Sequence, residues 1–430
     1  MRRVAVTGVG VVSPIGVGVP AFHAGLREAR SGVGPIRSFD ATGLATRIAA
    51  EVTGLDPQVA VRGVGGARQA ALLRDRKSLF GVVAAREALA SAFGDAGPTA
   101  WHGPERIGLS VATGLEIFHL QDLEPHVTAG RIDGAALAAA VAAAPGEAYL
   151  QIPSDLGARE IARLAGARAL YAVNVSACAA GSQAIGAGWH AVRDGLADVV
   201  VAGGYDSMVN PLGVGGFCLL EALSRANELG PAASRPFDAA RDGFVLGEGA
   251  AIVVLEELGA ARARGATVLG EVLGYGSTLD AYRVSDPVPG EAGAVAAMEQ
   301  ALAAAGLDPG EIDYVNAHGT GTRKNDPAET RAIRRVFGSA AEALPVSSTK
   351  SQIGHLIGAA GAVEVAACLF ALREQLLPAT LNLATRDPEC DLDYVPGVPR
   401  RAAVRRVLSN SFGFGGQNAV LVLGEPPGEA

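Results

Sequence analysis

The residues best suited to chemistry are a cysteine, two histidines and a lysine, each near the end of a predicted strand or the start of a predicted helix. Cys178 follows an apolar run at residues 171–175 and opens an Ala-rich segment with helical character. A thiol in the first turn of a helix lies near unsatisfied N–H groups and the positive end of the helix dipole. This position is expected to lower the thiol pKa and predicts a nucleophile. The alternative is a small buried cysteine that fills a gap in the core.

Two further segments favour the nucleophile. His318 leaves a predicted strand into the Gly/Thr loop HGTGT, and His355 closes the segment KSQIGH that begins at Lys350. Lys350 stands among small and apolar residues, so it is either solvated or a buried cation with a partner. Glu364, in the following predicted helix, is a candidate partner. For His318 the alternative is a loop histidine bonded to the backbone.

A glycine-rich segment, SNSFGFGGQN at residues 409–418, completes the set. Glycines permit positive φ angles and close backbone approach, so the N–H groups of this segment can form an oxyanion hole. The segment does not fit a dinucleotide-binding loop, because it precedes a strand and not a helix. A thiol, two imidazoles, a lysine and an oxyanion hole together predict a cysteine-dependent acyl transferase.

The elements that must position these groups alternate between strand and helix along the chain. Continuous apolar strands, such as the one at residues 198–204, predict an α/β fold with buried strands. The helix opening CAAG has a counterpart, GAAG, and Ala359 of the second lies 180 residues after Ala179 of the first. This spacing predicts a duplicated unit, with residues 1–258 and 259–430 as the two halves and the site between them.

Composition excludes several classes of function. The 430 residues are 49% hydrophobic and 19% charged, which indicates a compact globular protein. A net charge of −8 argues against nucleic-acid binding. The four cysteines are far apart in the sequence, so neither a disulfide framework nor a zinc site is expected. A cytoplasmic location is expected for the same reason. No apolar run approaches the roughly 20 residues that a membrane span needs.

The same residues resemble the β-ketoacyl-ACP synthases, the condensing enzymes of fatty-acid and type II polyketide synthesis in the thiolase superfamily. The resemblance runs from RVAVTG at residues 3–8 to GGQN at 415–418, and it includes RPFD at 235–238 and RDGFVLGEG at 241–249. It implies a thiolase-like, five-layered αβαβα fold built from two duplicated halves. It also implies decarboxylative Claisen condensation of malonyl-ACP with an acyl chain held as a thioester on the cysteine, without a cofactor.

The resemblance also implies a role for each chemical group. Cys178 would be the nucleophile, and the neutral rings of His318 and His355 would stabilise the enolate formed by decarboxylation. Lys350 would be a buried structural cation paired with Glu364. The backbone N–H groups of Cys178 and Phe414 would form the oxyanion hole, and Phe414 would also be the gate. Supporting positions would be Phe412, Thr320, Thr322 and Asp326, and some relatives hold a structural cation near residues that match Asn316, Glu364, Ser409 and Asn410.

Several positions depart from the family pattern. Ala179 and Ala180 follow the nucleophile where Thr or Ser is frequent, and Gln417 stands where fatty-acid enzymes often have Thr. The loop before the second half carries Ser285 where Thr is more usual, followed by the charged Asp286. These differences favour a type II polyketide ketosynthase over a housekeeping fatty-acid 3-oxoacyl-ACP synthase, which is the alternative.

Two competing interpretations belong to different classes of protein. A non-catalytic chain-length-factor subunit would lack the nucleophile, whereas this chain keeps Cys178 together with both histidines and Lys350. A thiolase acting on CoA esters would need a second catalytic cysteine near the carboxyl end, and residues 409–424 contain none. A thiolase-like acyltransferase that uses CoA esters is therefore the lesser alternative.

The resemblance implies acyl carrier protein, loaded with acyl or malonyl groups, as one partner. Because carrier proteins are acidic, basic residues should surround the pocket mouth. The candidates are Arg74, Arg76, Lys77 and Arg225, although a solvated helix start explains the first three equally well. A homodimer or a heterodimer with a chain-length-factor-like subunit is expected, with residues 198–204 and 115–170 as the predicted interface.

Overall fold

The computed structural model describes residues 1–114, 124–128, 131–144, 153–426 and 428. Within those ranges no helix is long and apolar enough to cross a membrane. The strands are β1 (Val4–Ser13), β2 (Gly16–Val17), β3 (Val33–Pro35), β4 (Ile48–Ala50), β5 (Ile107–Thr113), β6 (Val127–Thr128), β7 (Arg131–Ile132), β8 (Tyr171–Asn174), β9 (Val199–Ser207), β10 (Glu248–Glu257), β11 (Gly270–Leu279), β12 (Tyr314–Asn316), β13 (Val346–Ser347), β14 (Leu376–Leu377), β15 (Arg400–Arg401), β16 (Arg406–Gly413) and β17 (Gln417–Gly424). The helices are α1 (Val19–Arg27), α2 (Pro57–Ala60), α3 (Gly66–Arg74), α4 (Arg76–Phe93), α5 (Gly134–Ala143), α6 (Pro153–Ala165), α7 (Ala180–Arg193), α8 (Pro211–Leu219), α9 (Leu258–Ala263), α10 (Ala292–Ala305), α11 (Asn325–Phe337), α12 (Lys350–Ile353) and α13 (Ala360–Glu374).

Eleven of the described strands form one sheet with two arms that meet at β1 and β11. Its order is β13-β12-β16-β17-β11-β1-β10-β9-β5-β8, with β2 beside β1. Counted from the junction, each arm holds its strands in the chain order first, fifth, fourth, second, third. In both arms the first three strands are antiparallel neighbours and the outer two pairings are parallel. The two arms are therefore copies of one topology, and the fold is the predicted α/β thiolase-like duplication.

Three hydrophobic cores divide this double sheet into five layers. Helices α4 and α6 pack on the outer face of the first arm, and α10 and α11 pack on the outer face of the second. Between the arms lies the third core, built around α7 and α13. Every residue of α13 from Ala360 to Leu372 is buried, which is why its sequence is apolar on all sides except at Glu364.

Glycines set how closely these layers approach. A Cβ on Gly10 of β1 would lie 2.0 Å from the carbonyl oxygen of Ala84, so α4 can rest directly on the strand. The glycines of the amino-terminal TGVGVV segment therefore serve helix packing. In the central layer, a Cβ on Gly361 would lie 2.2 Å from Ser182 Oγ, and one on Gly181 would lie 2.8 Å from the backbone nitrogen of Ala362. Helices α7 and α13 therefore cross at two glycines that are 180 residues apart in the chain.

Two expectations about strands were wrong. Strand β9 lies between β10 and β5 with every residue buried, so the segment at residues 198–204 is not an interface. Strand β8, expected to be buried, is the edge of the first arm, and Tyr171 is exposed. Periodicity cannot distinguish a central strand from an edge strand when both are short and apolar. The boundary between residues 258 and 259 stays a prediction, and residues 115–123, 129–130 and 145–152 of the other predicted interface lie outside the described ranges.

Candidate active site

Cys178 lies in the 3₁₀ turn Ala177–Ala179, between β8 and α7. Ala177 has a φ of 49°, in the left-handed region that alanine rarely adopts, and this conformation turns the next residue into the interior. Burial raises the pKa of the Cys178 thiol to about 11, whereas the backbone N–H of Phe414 and the charge of Lys350 act in the opposite direction. The expectation of a lowered thiol pKa was therefore wrong, because desolvation outweighs the N–H groups and the helix start.

The structure brings His318 and His355 to this thiol. His318 follows β12 and His355 follows α12. The Cys178 sulfur and one ring nitrogen of each histidine all lie within 4.8 Å of one another. The two imidazole rings are 5.3 Å apart and almost perpendicular, at 82°. Burial, and next the positive charge of Lys350, hold the pKa of each histidine well below its ordinary value. Both rings are therefore neutral at physiological pH.

Hydrogen bonds select the same tautomer in both rings. Lys350 Nζ lies 3.3 Å from His318 Nδ1, and an ammonium can only donate, so Nδ1 accepts. The backbone N–H of Ile357 donates to His355 Nδ1 over 3.1 Å. Each ring consequently carries its proton on Nε2 and presents a neutral N–H donor. Lys350 Nζ also donates to Glu364 Oε1, which balances the buried ammonium with a buried carboxylate.

Glu329, on α11, is a further residue of the site that the sequence motifs did not indicate. Its carboxylate is buried and accepts the backbone N–H groups of His318 and Gly319, both over 2.8 Å, and Asn410 Nδ2 over 3.0 Å. Burial raises the pKa of Glu329 to about 7. The available signal was its position three residues after Asp326, another buried carboxylate, which accepts the N–H groups of the loop that follows His318.

A cavity of about 320 Å³ opens onto the three reactive side chains. Phe244 and Phe412 line its inner part, and Phe414 stands beside the thiol with its ring 6.2 Å from that of Phe217. Thr320 and Thr322 line the wall, with their hydroxyl oxygens 2.9 Å apart. The outer lining includes residues 284–287, 220–222 and 322–325. A cavity that runs from exposed residues to the buried thiol suits a substrate that carries a thioester.

Four polar side chains predicted to surround a cation each have an oxygen without a hydrogen-bond partner among the described residues. Asn316 and Ser409 are paired neighbours on the parallel strands β12 and β16, Asn410 follows on β16, and Glu364 comes from α13. The unpartnered atoms are Asn316 Oδ1, Glu364 Oε2, Ser409 Oγ and Asn410 Oδ1. Uncharged and carboxylate oxygens are the donors that hard cations prefer, so these residues fit a bound cation.

The basic residues predicted to dock a carrier protein are in different environments. Lys77 is buried beside Asp75, with 3.3 Å between Nζ and Oδ1, so it cannot contact a partner, and that prediction was wrong. Arg76 holds the buried carboxylate of Glu248, a structural contact. Arg74 is exposed at the end of α3. Arg225 is exposed beside Glu221, which belongs to the cavity mouth. Helix periodicity did not reveal that Lys77 points inward.

Comparison with known proteins agrees with this geometry. Residues 1–261 match the model of the beta-ketoacyl synthase N-terminal domain, and residues 269–384 match that of the C-terminal domain. A putative polyketide beta-ketoacyl synthase 1 of Streptomyces cyaneus is 42% identical over 98% of this chain and 98% of its own length. A 3-oxoacyl-[acyl-carrier-protein] synthase 2 of Synechocystis sp. is 41% identical over 98% of this chain and 97% of its own.

Solved structures give the same result. A type II polyketide ketosynthase bound to its acyl-carrier protein and a hexaketide superimposes with a TM-score of 0.86 at 30% identity, covering 99% of this chain and 100% of that one. The ishigamide ketosynthase/chain length factor superimposes with a TM-score of 0.84 at 35% identity, with the same coverage. The matching domains span most of the chain, and both relatives exceed 40% identity over nearly their full length. This chain belongs to the beta-ketoacyl synthase family.

Proposed function

We propose that this chain is a β-ketoacyl-ACP synthase, an acyltransferase that condenses malonyl-ACP with an acyl chain held as a thioester on Cys178. The observation that carries the proposal is the proximity of one buried thiol to two neutral imidazoles, with the Cys178 sulfur and one nitrogen of each ring all within 4.8 Å of one another. A thiol can hold an acyl group, and two neutral N–H donors can stabilise an enolate without protonating it too early.

The first half-reaction is acyl transfer. The Cys178 sulfur attacks the acyl thioester, the carbonyl oxygen becomes an oxyanion, and the N–H groups of Cys178 and Phe414 stabilise it. The carrier's thiol leaves, so one thioester bond breaks, one forms, and one proton passes between two thiols. Because burial raises the pKa of Cys178 to about 11, the thiol is protonated at rest and loses its proton only as it attacks. Phe414, between Phe217 and the thiol, is the side chain that must move to admit the acyl chain.

The second half-reaction is decarboxylation and carbon–carbon bond formation. The carboxylate of the malonyl thioester leaves as carbon dioxide, and its electron pair passes to the thioester enolate. The Nε2–H groups of His318 and His355 donate to the enolate oxygen. The enolate carbon then attacks the acyl carbonyl on Cys178, the bond between that carbon and the Cys178 sulfur breaks, and the departing thiolate takes up one proton from solvent. Lys350 serves this step indirectly, because its bond to Nδ1 keeps the proton of His318 on Nε2.

We propose that the pathway is a type II polyketide pathway, with fatty-acid elongation as the alternative. The polyketide assignment is supported by the relative from S. cyaneus and by the two solved type II ketosynthases. The Synechocystis relative, named as a 3-oxoacyl-ACP synthase, supports the alternative at nearly equal identity. The chemistry of the two half-reactions is the same in both pathways.

The proposal includes three kinds of partner. Acyl carrier protein is expected because the solved ketosynthase complex contains one. A second subunit is also expected, either a copy of this chain or a chain-length-factor-like protein. It would cover the edge strand β8 and helix α5, and no described residue of α5 is buried. A structural cation would be held by Asn316, Glu364, Ser409 and Asn410 and would satisfy their four oxygens that lack a hydrogen-bond partner among the described residues. A cytoplasmic location is consistent with four free cysteines.

The test is made on the chain purified alone, with intact mass and products followed over a panel of acyl-ACPs and malonyl-ACP. His318→Ala and His355→Ala should each lose about 10²–10⁴-fold in malonyl-ACP decarboxylation. The matched control is His190→Ala, which removes a half-exposed histidine of α7 outside the cavity. Wild-type decarboxylation in either site variant would remove that histidine from the mechanism.

The same panel separates the two pathways. Preferred extension of saturated chains would favour fatty-acid synthesis, and preferred extension of polyketide or polyenoic chains would favour polyketide synthesis. If a folded sample accepts no acyl group, co-expression with a chain-length-factor-like subunit decides whether the chain is one part of a heterodimer. Absence of condensation in that complex as well would overturn the proposed function.

A further inference from the structure

The turn that follows His355 is held by a carboxylate from the other half of the molecule. Asp206 lies at the end of β9 and is only 1% exposed. Its Oδ2 accepts the backbone N–H of Gly358 over 2.8 Å, and its Oδ1 accepts the N–H of Ser207 over 2.8 Å. Gly358 is the middle residue of the 3₁₀ turn Ile357–Ala359, from which α13 begins. Asp206 therefore joins the first arm of the sheet to the segment that carries a reactive histidine.

The same turn determines where the His355 proton lies. Ile357 has a φ of 45°, in the left-handed region that a β-branched residue adopts only when its surroundings enforce it. In this conformation its N–H reaches His355 Nδ1. The carbonyl side of the turn is enclosed by backbone, since a Cβ on Gly204 would lie 2.7 Å from the oxygen of Gly358. On the N–H side, the hydrogen bond to Asp206 opposes relaxation of Ile357.

We propose that Asp206 is a positioning residue for His355. By binding the N–H of Gly358, it keeps Ile357 in its strained conformation, and the Ile357 N–H then keeps the His355 proton on Nε2. This role rests on the proposed function in one respect, namely that the Nε2–H of His355 donates to the malonyl enolate. Without the carboxylate, Ile357 relaxes, Nδ1 loses its donor, and the ring takes both neutral tautomers. A ring protonated on Nδ1 presents a lone pair to the enolate and cannot stabilise it.

The experiment uses Asp206→Asn in the full-length chain with ¹⁵N-labelled histidine. An asparagine offers one carbonyl oxygen to two N–H donors, so one of the two bonds is lost. The ring nitrogen shifts of His355, assigned by difference from His355→Ala, report the tautomer directly and need no substrate. We expect a single Nε2–H tautomer in the wild type and a mixture in the variant. Malonyl-ACP decarboxylation should fall about 10- to 100-fold in kcat, the size expected for a lost hydrogen bond to a charged group, with KM unchanged.

The matched control is Glu87→Gln. Glu87 is a half-buried carboxylate that accepts two backbone N–H groups, those of Val11 at 2.9 Å and Val19 at 2.7 Å, outside the cavity. Its loss should lower stability and leave the His355 tautomer and kcat at wild-type values. If Asp206→Asn does not fold, Gly114→Ala provides the second variant, because its Cβ would lie 2.4 Å from Asp206 Oδ1 and displace the carboxylate.

The outcomes are distinguishable. A wild-type His355 tautomer in both Asp206→Asn and Gly114→Ala would overturn the positioning role, whatever happens to activity. A tautomer mixture with slow decarboxylation supports it. If the wild-type enzyme does not decarboxylate malonyl-ACP at all, the proposed function fails, and the nitrogen shifts still decide whether Asp206 controls His355. A tautomer change of equal size in Glu87→Gln would also overturn the proposal, since the effect would then be general loosening.

Discussion

The two halves of the molecule contain the same turn in two chemical forms. The turns Ala177–Ala179 and Ile357–Ala359 both begin with a residue in the left-handed region, at φ 49° and 45°, and both lead into a central helix. One carries Cys178 in its middle position and the other carries Gly358. Phe414 directs its N–H to the Cys178 thiol, whereas Asp206 accepts the N–H of Gly358. The two duplicated turns therefore share a backbone conformation and differ in their middle residue. One turn supplies the nucleophile, and the other supports His355.

The two histidines show a related difference. Glu329 accepts the N–H groups of His318 and Gly319 and so holds the backbone at one histidine. At the other histidine, Asp206 accepts the N–H of Gly358, which directly follows the residue whose N–H bonds to His355. In both cases a buried carboxylate orients the peptide groups around a neutral ring. Burial is costly for these charges, so their backbone hydrogen bonds must compensate.

The largest effect should come from replacing the middle residue of the reactive turn. Cys178→Ala removes the sulfur atom that holds the acyl group, so condensation should fall by about 10⁴-fold or more. Cys178→Gln should retain malonyl-ACP decarboxylation, because glutamine resembles the acylated cysteine and both histidines remain. The comparison variant is Gly358→Ala, whose Cβ would lie 3.0 Å from Asp206 Oδ2 and should reduce activity far less. Condensation is measured by product analysis. If Cys178→Ala still forms the condensed product, the turn that carries Cys178 does not supply the nucleophile.

The pKa of the thiol makes the next prediction. Burial raises the pKa of Cys178 to about 11, so the fraction of reactive thiolate grows as the pH rises towards that value. Alkylation of Cys178 by iodoacetamide should therefore accelerate about tenfold per pH unit, or about 100-fold from pH 7 to 9. Intact mass, with Cys178→Ala to subtract the other cysteines, measures the rate. If the alkylation rate reaches a plateau below pH 9, the effect of the helix start on the thiol pKa outweighs the effect of burial.

The glycines at the helix crossing should respond alike in the two halves. Gly181→Ala and Gly361→Ala each place a methyl group within 3 Å of the opposite helix segment. Each should lower the free energy of unfolding by about 1–3 kcal/mol, the usual cost of overpacking a core. Gly310→Ala is the matched control, because a Cβ there meets nothing within 4 Å. Denaturant titration measures the stability of each variant. If Gly181→Ala or Gly361→Ala is as stable as Gly310→Ala, the close crossing of α7 and α13 is contradicted.

The smallest effect concerns the carboxylate beside His318. Burial raises the pKa of Glu329 to about 7, so below that pH it binds a proton and accepts the two N–H groups less well. Decarboxylation by the wild type should decline several-fold as the pH falls from about 8 to 6, and Glu329→Gln should lack this limb of the profile.

The free energy of unfolding should change with pH in the opposite direction to the decarboxylation activity. The folded state binds the proton of Glu329 more tightly than the unfolded state, so the free energy of unfolding contributed by this group falls as the pH rises from about 4.5 to about 7. Glu329→Gln should remove that slope in denaturant titrations. An identical pH dependence of stability in both proteins would mean that Glu329 titrates normally.

Much of the chemistry was predictable because it depends on residue types at element ends. The thiol, two imidazoles and lysine at strand-to-helix turns indicated acyl transfer, and the repeat of CAAG as GAAG indicated the duplication. Lys77 was misplaced because a charged residue at a helix start usually faces solvent, and here it faces Asp75. Glu329 was missed because its role depends on contacts made in the folded structure, with the N–H of His318 and with Asn410, which is 81 residues away in the chain.

The sequence by itself determined the family, the alternating fold and the identities of the reactive groups, since these follow from local pattern and from motifs. Only the tertiary structure decided the pKa of Cys178, the tautomers of both histidines and the contact between Asp206 and Gly358. Those properties depend on desolvation and on hydrogen bonds between segments that can be more than 100 residues apart in the chain. Burial and long-range hydrogen bonding exist only once the two halves have packed against each other, so no local pattern encodes them.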